Sequence, residues 1–230
     1  MSLDPEKLQA KLAIAEKAAE LYVQQDGSFT LHQIANETEY EVGDIFNYFP
    51  DKRAILEFCY TSLVIRYRMM IGEIEDYSSY TLSEKLSSFV YASFDMMAEQ
   101  REFVEKSFNK IIYNRYAITE YENEVQRMLK SFFEEDPLVA TSSKIMSGDY
   151  FYALLRQKYI RLVRFWLNDT SDGHELTMEL TDKSVSLLQE MAYSTILDKS
   201  FDLLKFLISN NIFIPNLPFM DSIKSKFDIR

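Results

Sequence analysis

Apolar residues recur at steps of three and four along most of the chain, and this is the period of amphipathic α-helices. The first such run consists of Leu8, Leu12, Ala15, Ala18, Ala19 and Tyr22. It predicts a helix that ends before Gly27, because glycine readily adopts the left-handed conformation found after helices. Thr30-Leu31-His32-Gln33 then forms a capping box, which predicts a second, short helix with Ile34 and Ala35 turned inward.

A third, short helix is predicted at about Val42–Tyr48. Its apolar side chains are expected to be buried, namely those of Ile45, Phe46 and Phe49. Pro50 then breaks the pattern, and Asp51 is a natural N-cap for a long helix that continues to about Glu75. The first fifty residues therefore predict a three-helix domain, which a connector helix follows.

Six more helices are predicted beyond residue 77, where the pattern restarts with a second capping box, Thr81-Leu82-Ser83-Glu84. Their approximate ranges are 81–99, 101–114, 116–135, 149–168, 175–194 and 196–210. Glycine and proline number only five each, which argues against a turn-rich β architecture. We therefore predict an all-α fold with an N-terminal domain in residues 1–50, a connector helix in 51–76 and a helical bundle in 77–230.

The composition indicates a folded protein without a disulfide framework. Hydrophobic residues make up 47% of the chain and charged residues 27%. Cys59 is the single cysteine, which fits a reducing compartment. No apolar run approaches the roughly 18 residues that cross a bilayer, and the N-terminus lacks the pattern of a signal peptide. We therefore expect a cytoplasmic protein with no membrane insertion.

Side chains for catalysis or metal binding are sparse. His32 and His174 are the only histidines and lie far apart in the sequence, and the lone Cys59 adds no metal-binding cluster. Five glycines are too few for a loop that cradles phosphate. We expect no enzymatic activity, no metal and no cofactor.

Residues 11–56 share the order and spacing of many positions, without a gap, with one known family. These positions are Ala18-Ala19-x-x-Tyr22, Gly27, Thr30, Ile34-Ala35, Gly43, Phe46-x-Tyr48-Phe49 and Lys52. In this respect the segment resembles the helix-turn-helix head of the tetracycline-repressor (TetR) family. The rest of the chain matches that family in length and helicity only. The resemblance implies a DNA-binding head and a helical body that binds a ligand and forms a homodimer.

The resemblance also implies which side chains would meet DNA, because such a head lays its third helix in the major groove. Base edges would meet Val42, Asp44 and Asn47. Phosphates would meet Thr30, Tyr48 and Lys52. The alternative is that these residues are only the caps and core of an ordinary three-helix domain.

The head departs from the family pattern in its charge. Glu39 occupies the turn where glycine is common, Glu41 occupies an N-cap position where Ser or Thr is usual, and Phe46 lacks the hydroxyl of the common Tyr. Residues 1–60 hold five Lys and Arg residues against eleven Asp and Glu residues, a net charge of −6, and the whole chain carries −11. A DNA-binding domain normally presents a basic surface.

The body is rich in aromatic residues and methionine, which suit the wall of a cavity for a bulky apolar molecule. As ligand-binding residues we single out Tyr91, Phe94, Phe108, Tyr113, Tyr121 and Met128. The alternative is that they are simply core. Residues 149–210 hold helices with apolar faces that pair either with a second copy, as in TetR-like dimers, or within one chain.

The sequence therefore favours a ligand-responsive homodimeric transcriptional regulator, a repressor that binds a pseudo-palindromic operator in double-stranded DNA. Its effector would be a small apolar or aromatic molecule. The alternative is a TetR-fold protein that binds lipid or another hydrophobic ligand and has lost DNA binding.

Overall fold

A computed structural model describes residues 4–139 and 148–194, and within these residues the regular structure is helical, with no β-strand. The predicted all-α fold is confirmed. The described α-helices are α1 (Pro5–Gln24), α2 (Leu31–Asn36), α3 (Val42–Tyr48), α4 (Lys52–Gly72), α5 (Leu82–Glu99), α6 (Arg101–Phe108), α7 (Glu120–Glu135), α8 (Asp149–Asn168) and α9 (Glu175–Tyr193). Short 3-10 turns lie at Tyr77–Ser79 and Asp172–His174, and a π-helical turn at Asn109–Tyr113 follows α6.

The head consists of α1, α2 and α3, which pack around a small apolar core. Ile14 and Ala18 of α1 meet Ile34 of α2 and Ile45 of α3 in this core, and all four are fully buried. The predicted capping box at the start of α2 is present: the Thr30 N–H donates to the Gln33 side-chain carbonyl at 2.8 Å, and the Gln33 N–H donates to the Thr30 hydroxyl at 3.4 Å. This box fixes where α2 begins.

The prediction that Phe46 is buried is wrong, because 54% of its surface is exposed. Ile45 and Phe49 lie four residues apart and so share the inward face at α3. Phe46 follows Ile45 by one residue, which turns it about 100° away from that face. A helix of only seven residues has one buried side, so the Phe46 side chain faces solvent.

The long helix α4 joins the head to the rest of the chain. It has 21 residues and therefore a length of about 30 Å. It packs on α1, α5 and α7. Tyr67, near its end, lies against the rings of Phe89 on α5 and Phe132 on α7. The helix ends at Gly72, three residues before the predicted end.

Two other predicted helices differ from those in the structure, and a third cannot be compared with it. The range predicted as one helix at 101–114 is α6 followed by the π-helical turn. The helix predicted at 116–135 begins later, at Glu120, because Thr119 forms a capping box with Glu122 that the sequence analysis missed. The helix predicted at 196–210 lies outside the described residues.

Candidate functional site

The surface of α3 carries the side chains predicted to face DNA bases. Asp44 and Asn47 are exposed, and Val42 is half-buried at the first position of the helix. The Asp44 carboxylate accepts a hydrogen bond from the Glu41 N–H at 3.1 Å, so it caps the start of α3. Of the three side chains, Asn47 is therefore the polar one without a structural role in the helix.

Two of the predicted phosphate contacts flank this surface. Thr30 is exposed, and its hydroxyl takes part in the capping box of α2. Tyr48 is half-buried, and its ring packs edge-on against Tyr40, with centroids 6.2 Å apart. The two side chains lie at the start of α2 and at the end of α3, so they bracket the turn between these helices.

Lys52, the third predicted phosphate contact, is bound to the loop that joins α1 and α2. Its ammonium donates to the backbone carbonyls of Gly27 at 2.7 Å and Phe29 at 2.8 Å. It also lies 3.9 Å from the centroid of the Phe29 ring. Partial burial lowers the pKa of this ammonium. Two of its three N–H donors are thereby occupied inside the head.

Other cations of the head are likewise engaged with neighbouring groups. Lys17 pairs with Glu20 and Glu37, and Arg53 pairs with Glu57 at 3.1 Å. Lys11 lies over the rings of two buried phenylalanines, at 5.0 and 5.2 Å from their centroids. Glu39, Glu41 and Asp44 are all exposed around α3. The exposed surface around α3 is therefore acidic, in agreement with the net charge of the segment.

Four of the six predicted ligand-binding residues lie in the core of the body, namely Phe94, Phe108, Tyr121 and Met128. Phe94 stacks on Trp166 of α8 with centroids 5.0 Å apart, and the Tyr121 hydroxyl bonds that of Tyr159 at 3.1 Å. The other two are half-buried. Tyr91 donates to the Asp182 carboxylate, and Tyr113 lies under the guanidinium of Arg164, 4.1 Å from the ring centroid.

An apolar groove of about 420 Å³ lies elsewhere, between α8 and α9, and none of the six predicted residues lines it. Its lining comes from α5, α7, α8 and α9 and includes Leu86, Val90, Leu129, Leu155, Leu162 and Val185. The only sequence signal was the run of apolar residues on α8 at 155, 159 and 162, which also fits plain core. The groove arises because α8 and α9 contact each other little, while each packs well on other helices.

The outer face of α9 carries a stripe of exposed apolar side chains, consisting of Leu176, Leu180, Leu187 and Met191. Their spacing of four and seven residues places them along one side of the helix. Exposed apolar patches of this kind mark surfaces for association. In residues 4–139 and 148–194, no helix is both long and apolar enough to cross a membrane.

Helix α6 touches both the head and the turn between α8 and α9. On the head side, Phe103 packs edge-on against Tyr22 of α1 at 5.6 Å, and the Lys106 ammonium donates to the Val23 carbonyl at 3.3 Å. On the other side, the Arg101 guanidinium lies 4.5 Å from the centroid of the Trp166 ring. A displacement of α8 near Trp166 can therefore reach α1 through one short helix.

Comparison with known families bears on the body rather than on the head. The model of the tetracyclin repressor-like C-terminal domain matches residues 85–207, which is more than half of the chain. The chain belongs to the TetR family. This match begins beyond the head, so it is independent of the head motif in residues 11–56, and it confirms the predicted membership in the TetR family. TetR-family proteins are in general transcription regulators rather than enzymes. No match to a curated protein was found.

Proposed function

We propose that this TetR-family protein is a homodimeric transcriptional repressor that binds a pseudo-palindromic operator and responds to a small molecule bound in its body. The observation that carries the proposal is that two independent features occur in one chain. The head presents α3 after α2, whose start is fixed by the Thr30 capping box, and the body matches the tetracyclin repressor-like domain. The proposal keeps the division into a head (1–50), a connector helix (51–76) and a body (77–230).

In this proposal α3 lies in the major groove, and Asn47 is the side chain best placed to read a base, with Val42 and Asp44 beside it. Thr30 and Tyr48 contact phosphates on either side. Lys52 has one ammonium N–H beyond the two that hold the α1–α2 loop, and this third donor would meet a phosphate. Few other cations are free in the head, so the expected affinity depends on few phosphate contacts.

The apolar stripe on α9 supports a homodimer. A two-fold axis would bring Leu187 and Met191 of one copy against the same stripe of its partner, which is the self-complementary contact of an isologous dimer. Such an axis also places two heads for the two halves of a pseudo-palindrome. Ligand binding would change the spacing of the heads through α6 and α4, the helices that connect them with the body.

The experiment is selection of binding sites from random and genomic DNA fragments at two salt concentrations, with the full chain. We expect a two-fold symmetric site, with affinity that falls as salt rises. Asn47→Ala should relax the sequence preference at one position of each half-site with the salt dependence unchanged. Asn114→Ala, a change of another exposed asparagine in the body, is the control and should leave selection unaltered. Weak binding without sequence preference would contradict the proposal.

A second candidate function is a TetR-fold protein that binds a hydrophobic ligand without binding DNA. The observation that favours it is the surface of α3, where an exposed Phe46 stands among Glu39, Glu41 and Asp44. These carboxylates would approach phosphates with the wrong sign. Native mass spectrometry of the purified protein would reveal a co-purified ligand, and failure of the DNA selection together with such a ligand would favour this candidate.

A further inference from the structure

The groove between α8 and α9 combines an apolar interior with a cationic wall. Its volume of about 420 Å³ lies within the range of small-molecule sites. Leu155, Leu162 and Phe165 of α8 face it from one side, and Leu180 and Leu188 of α9 from the other. Lys158 and Arg161 of α8 complete the wall, and no carboxylate of the part of the chain that the structure describes lines the groove.

Lys158 and Arg161 have no polar partner within residues 4–139 and 148–194. Both side chains are exposed, and neither makes an ion pair or a hydrogen bond with another residue among those the structure describes. They lie three residues apart, so they occupy neighbouring positions on one face of α8. Two unpaired cations at the edge of an apolar surface are suited to the charged end of an otherwise apolar anion.

The two helices beside the groove differ in charge, since α9 carries Glu175, Glu179, Asp182 and Glu190 against Lys183, whereas α8 is basic. Helix α8 carries Arg156, Lys158, Arg161 and Arg164 against a single carboxylate, Asp149, although the chain as a whole carries −11. Arg161 also lines a second depression, of about 350 Å³, together with Arg115 and Arg156. Arg115 and Arg156 are paired with Glu57 and Glu122, so Lys158 and Arg161 are the cations on this wall that are available to an anion.

We propose that the groove binds one long-chain fatty carboxylate. The hydrocarbon chain lies between Leu155, Leu162 and Leu188, and the carboxylate pairs with Lys158 and Arg161, whose guanidinium can hold both carboxylate oxygens. The inference rests on the ligand response in the proposed function and names the class of effector. It does not depend on whether the head binds DNA.

The first test is a fluorescence titration of the full chain with cis-parinaric acid, a C18 carboxylate that fluoresces in apolar surroundings. Oleate, oleyl alcohol and oleylamine then compete for the site below their aggregation concentrations. We expect saturable binding that oleate displaces at least about tenfold more effectively than the alcohol, since the alcohol loses the charge-assisted contacts. The amine should compete least. Equal competition by all three would overturn the assignment of Lys158 and Arg161.

A pair of charge-matched variants separates the local contacts from the general field. Lys158→Gln with Arg161→Gln should weaken oleate at least about tenfold and leave oleyl alcohol unchanged. Arg164→Gln with Lys183→Gln removes the same charge outside the groove and should change oleate binding little. If both double variants weaken oleate equally, the carboxylate does not contact the groove cations.

Ser184→Trp tests the location, because Ser184 lines the groove and is exposed. A bulky ring there should abolish parinarate binding while the melting temperature and the sedimentation coefficient stay as in the wild type. If the wild type binds no parinarate and the Ser184→Trp variant melts at a lower temperature, residues 195–230 fill the groove. A dissociated dimer would show that a second copy covers it. Either result overturns the proposal.

The outcomes for the groove and for the head are distinguishable. The Lys158 and Arg161 double variant should still select the operator, because these residues lie on α8, outside the head. Loss of DNA selection with intact oleate binding would refute the repressor proposal and leave the fatty carboxylate site standing. The reverse result would leave the repressor with a different effector.

Discussion

The Lys52 ammonium, at the first residue of α4, donates a hydrogen bond to the carbonyl of Gly27, 25 residues earlier, at 2.7 Å. With the second bond to the Phe29 carbonyl, it ties the start of the connector helix to the loop between α1 and α2. This loop precedes α2 directly, so Lys52 holds the orientation of the helix-turn-helix against α4. Its position in the family motif therefore has a structural reason besides contact with DNA.

Lys52→Met should destabilise the protein by about 1–3 kcal/mol, because it leaves two partly buried carbonyls without their charged donor while keeping the apolar stem. Urea unfolding followed by circular dichroism measures the change. Lys7→Met, an exposed lysine of α1, is the control and should change stability by less than about 0.5 kcal/mol. Equal effects of the two variants would show that the bonds of Lys52 contribute nothing.

Gly27→Ala should destabilise the head, since Gly27 has a φ of +84° and an added Cβ would lie 3.2 Å from the Tyr22 ring. We expect a loss of about 1–2 kcal/mol. Gly43→Ala is the matched control, because Gly43 lies within α3 and an added Cβ meets nothing within 4 Å. It should stabilise the protein by up to about 1 kcal/mol. Thermal unfolding of both variants checks the opposite signs.

A buried hydroxyl pair joins α4 to α6: the oxygens of Tyr60 and Ser107 lie 2.6 Å apart. Ser107 donates to the Phe103 carbonyl at 2.6 Å, so Tyr60 is the donor to Ser107. Ser107→Ala should cost about 1–3 kcal/mol, because it leaves the tyrosine hydroxyl buried without an acceptor.

Adding Tyr60→Phe to Ser107→Ala should recover part of that loss, since the unsatisfied donor is then removed. Chemical unfolding of the two single variants and the double variant provides the cycle. Additive losses in the double variant would mean that the two hydroxyls do not interact.

The turn between α8 and α9 depends on the ionised form of Asp169. Hydrogen bonds from the hydroxyls of Ser171 at 2.6 Å and Thr177 at 2.5 Å, together with backbone N–H donors, hold the pKa of this carboxyl well below its usual range. The resulting stability is present above the unfolded pKa, about 3.9, and is lost as the pH falls toward the folded value.

Asp169→Asn should therefore be less stable than the wild type at neutral pH, and the difference should shrink as the pH falls below about 4. Urea midpoints measured between pH 7 and pH 3 test this trend. Asp172→Asn, which removes the exposed carboxylate of the same turn, is the control. A gap between wild type and Asp169→Asn that stays constant at all pH values would contradict the role of the charge.

Leu187→Glu should dissociate the proposed homodimer, because it places a carboxylate in the middle of the apolar stripe of α9. Sedimentation velocity of the variant should show a monomer at concentrations at which the wild type is a dimer. Ser186→Glu adds the same charge on the neighbouring exposed residue and is the control. A monomeric wild type would remove the basis for two heads on one operator.

The helices were predictable from sequence where periodicity and a cap coincide. The start of α2 at Leu31 and that of α5 at Leu82 follow from Thr30 and Thr81, because a capping box is a local interaction of neighbouring residues. The predicted start of the helix at 116–135 was wrong, because periodicity and the cap do not coincide there. Apolar residues at 116–118 continue the helical period, but the backbone at Thr119 is extended, and the helix begins only after this residue.

The candidate sites were less predictable, since aromatic residues at helical spacing fit a core and a cavity equally well. Phe94 and Tyr121 are buried, and they stack on Trp166 and bond the Tyr159 hydroxyl of α8, respectively. The groove depends on how far α8 and α9 diverge, which no local pattern encodes. The exposure of Phe46 was also not predictable from its residue type. Its apolar character predicts burial, but the seven-residue helix α3 has only one buried side.

The sequence alone determined the all-α fold, the capping of the helices and the spacing of the helix-turn-helix, because these depend on interactions within a few residues. The tertiary structure decided which groups are available for binding. It placed the Lys52 ammonium on the carbonyls of Gly27 and Phe29, and it placed Lys158 and Arg161 beside an apolar groove with no polar partner among the described residues. Whether a charge is engaged or free depends on groups that are distant along the chain, and only packing brings those groups together.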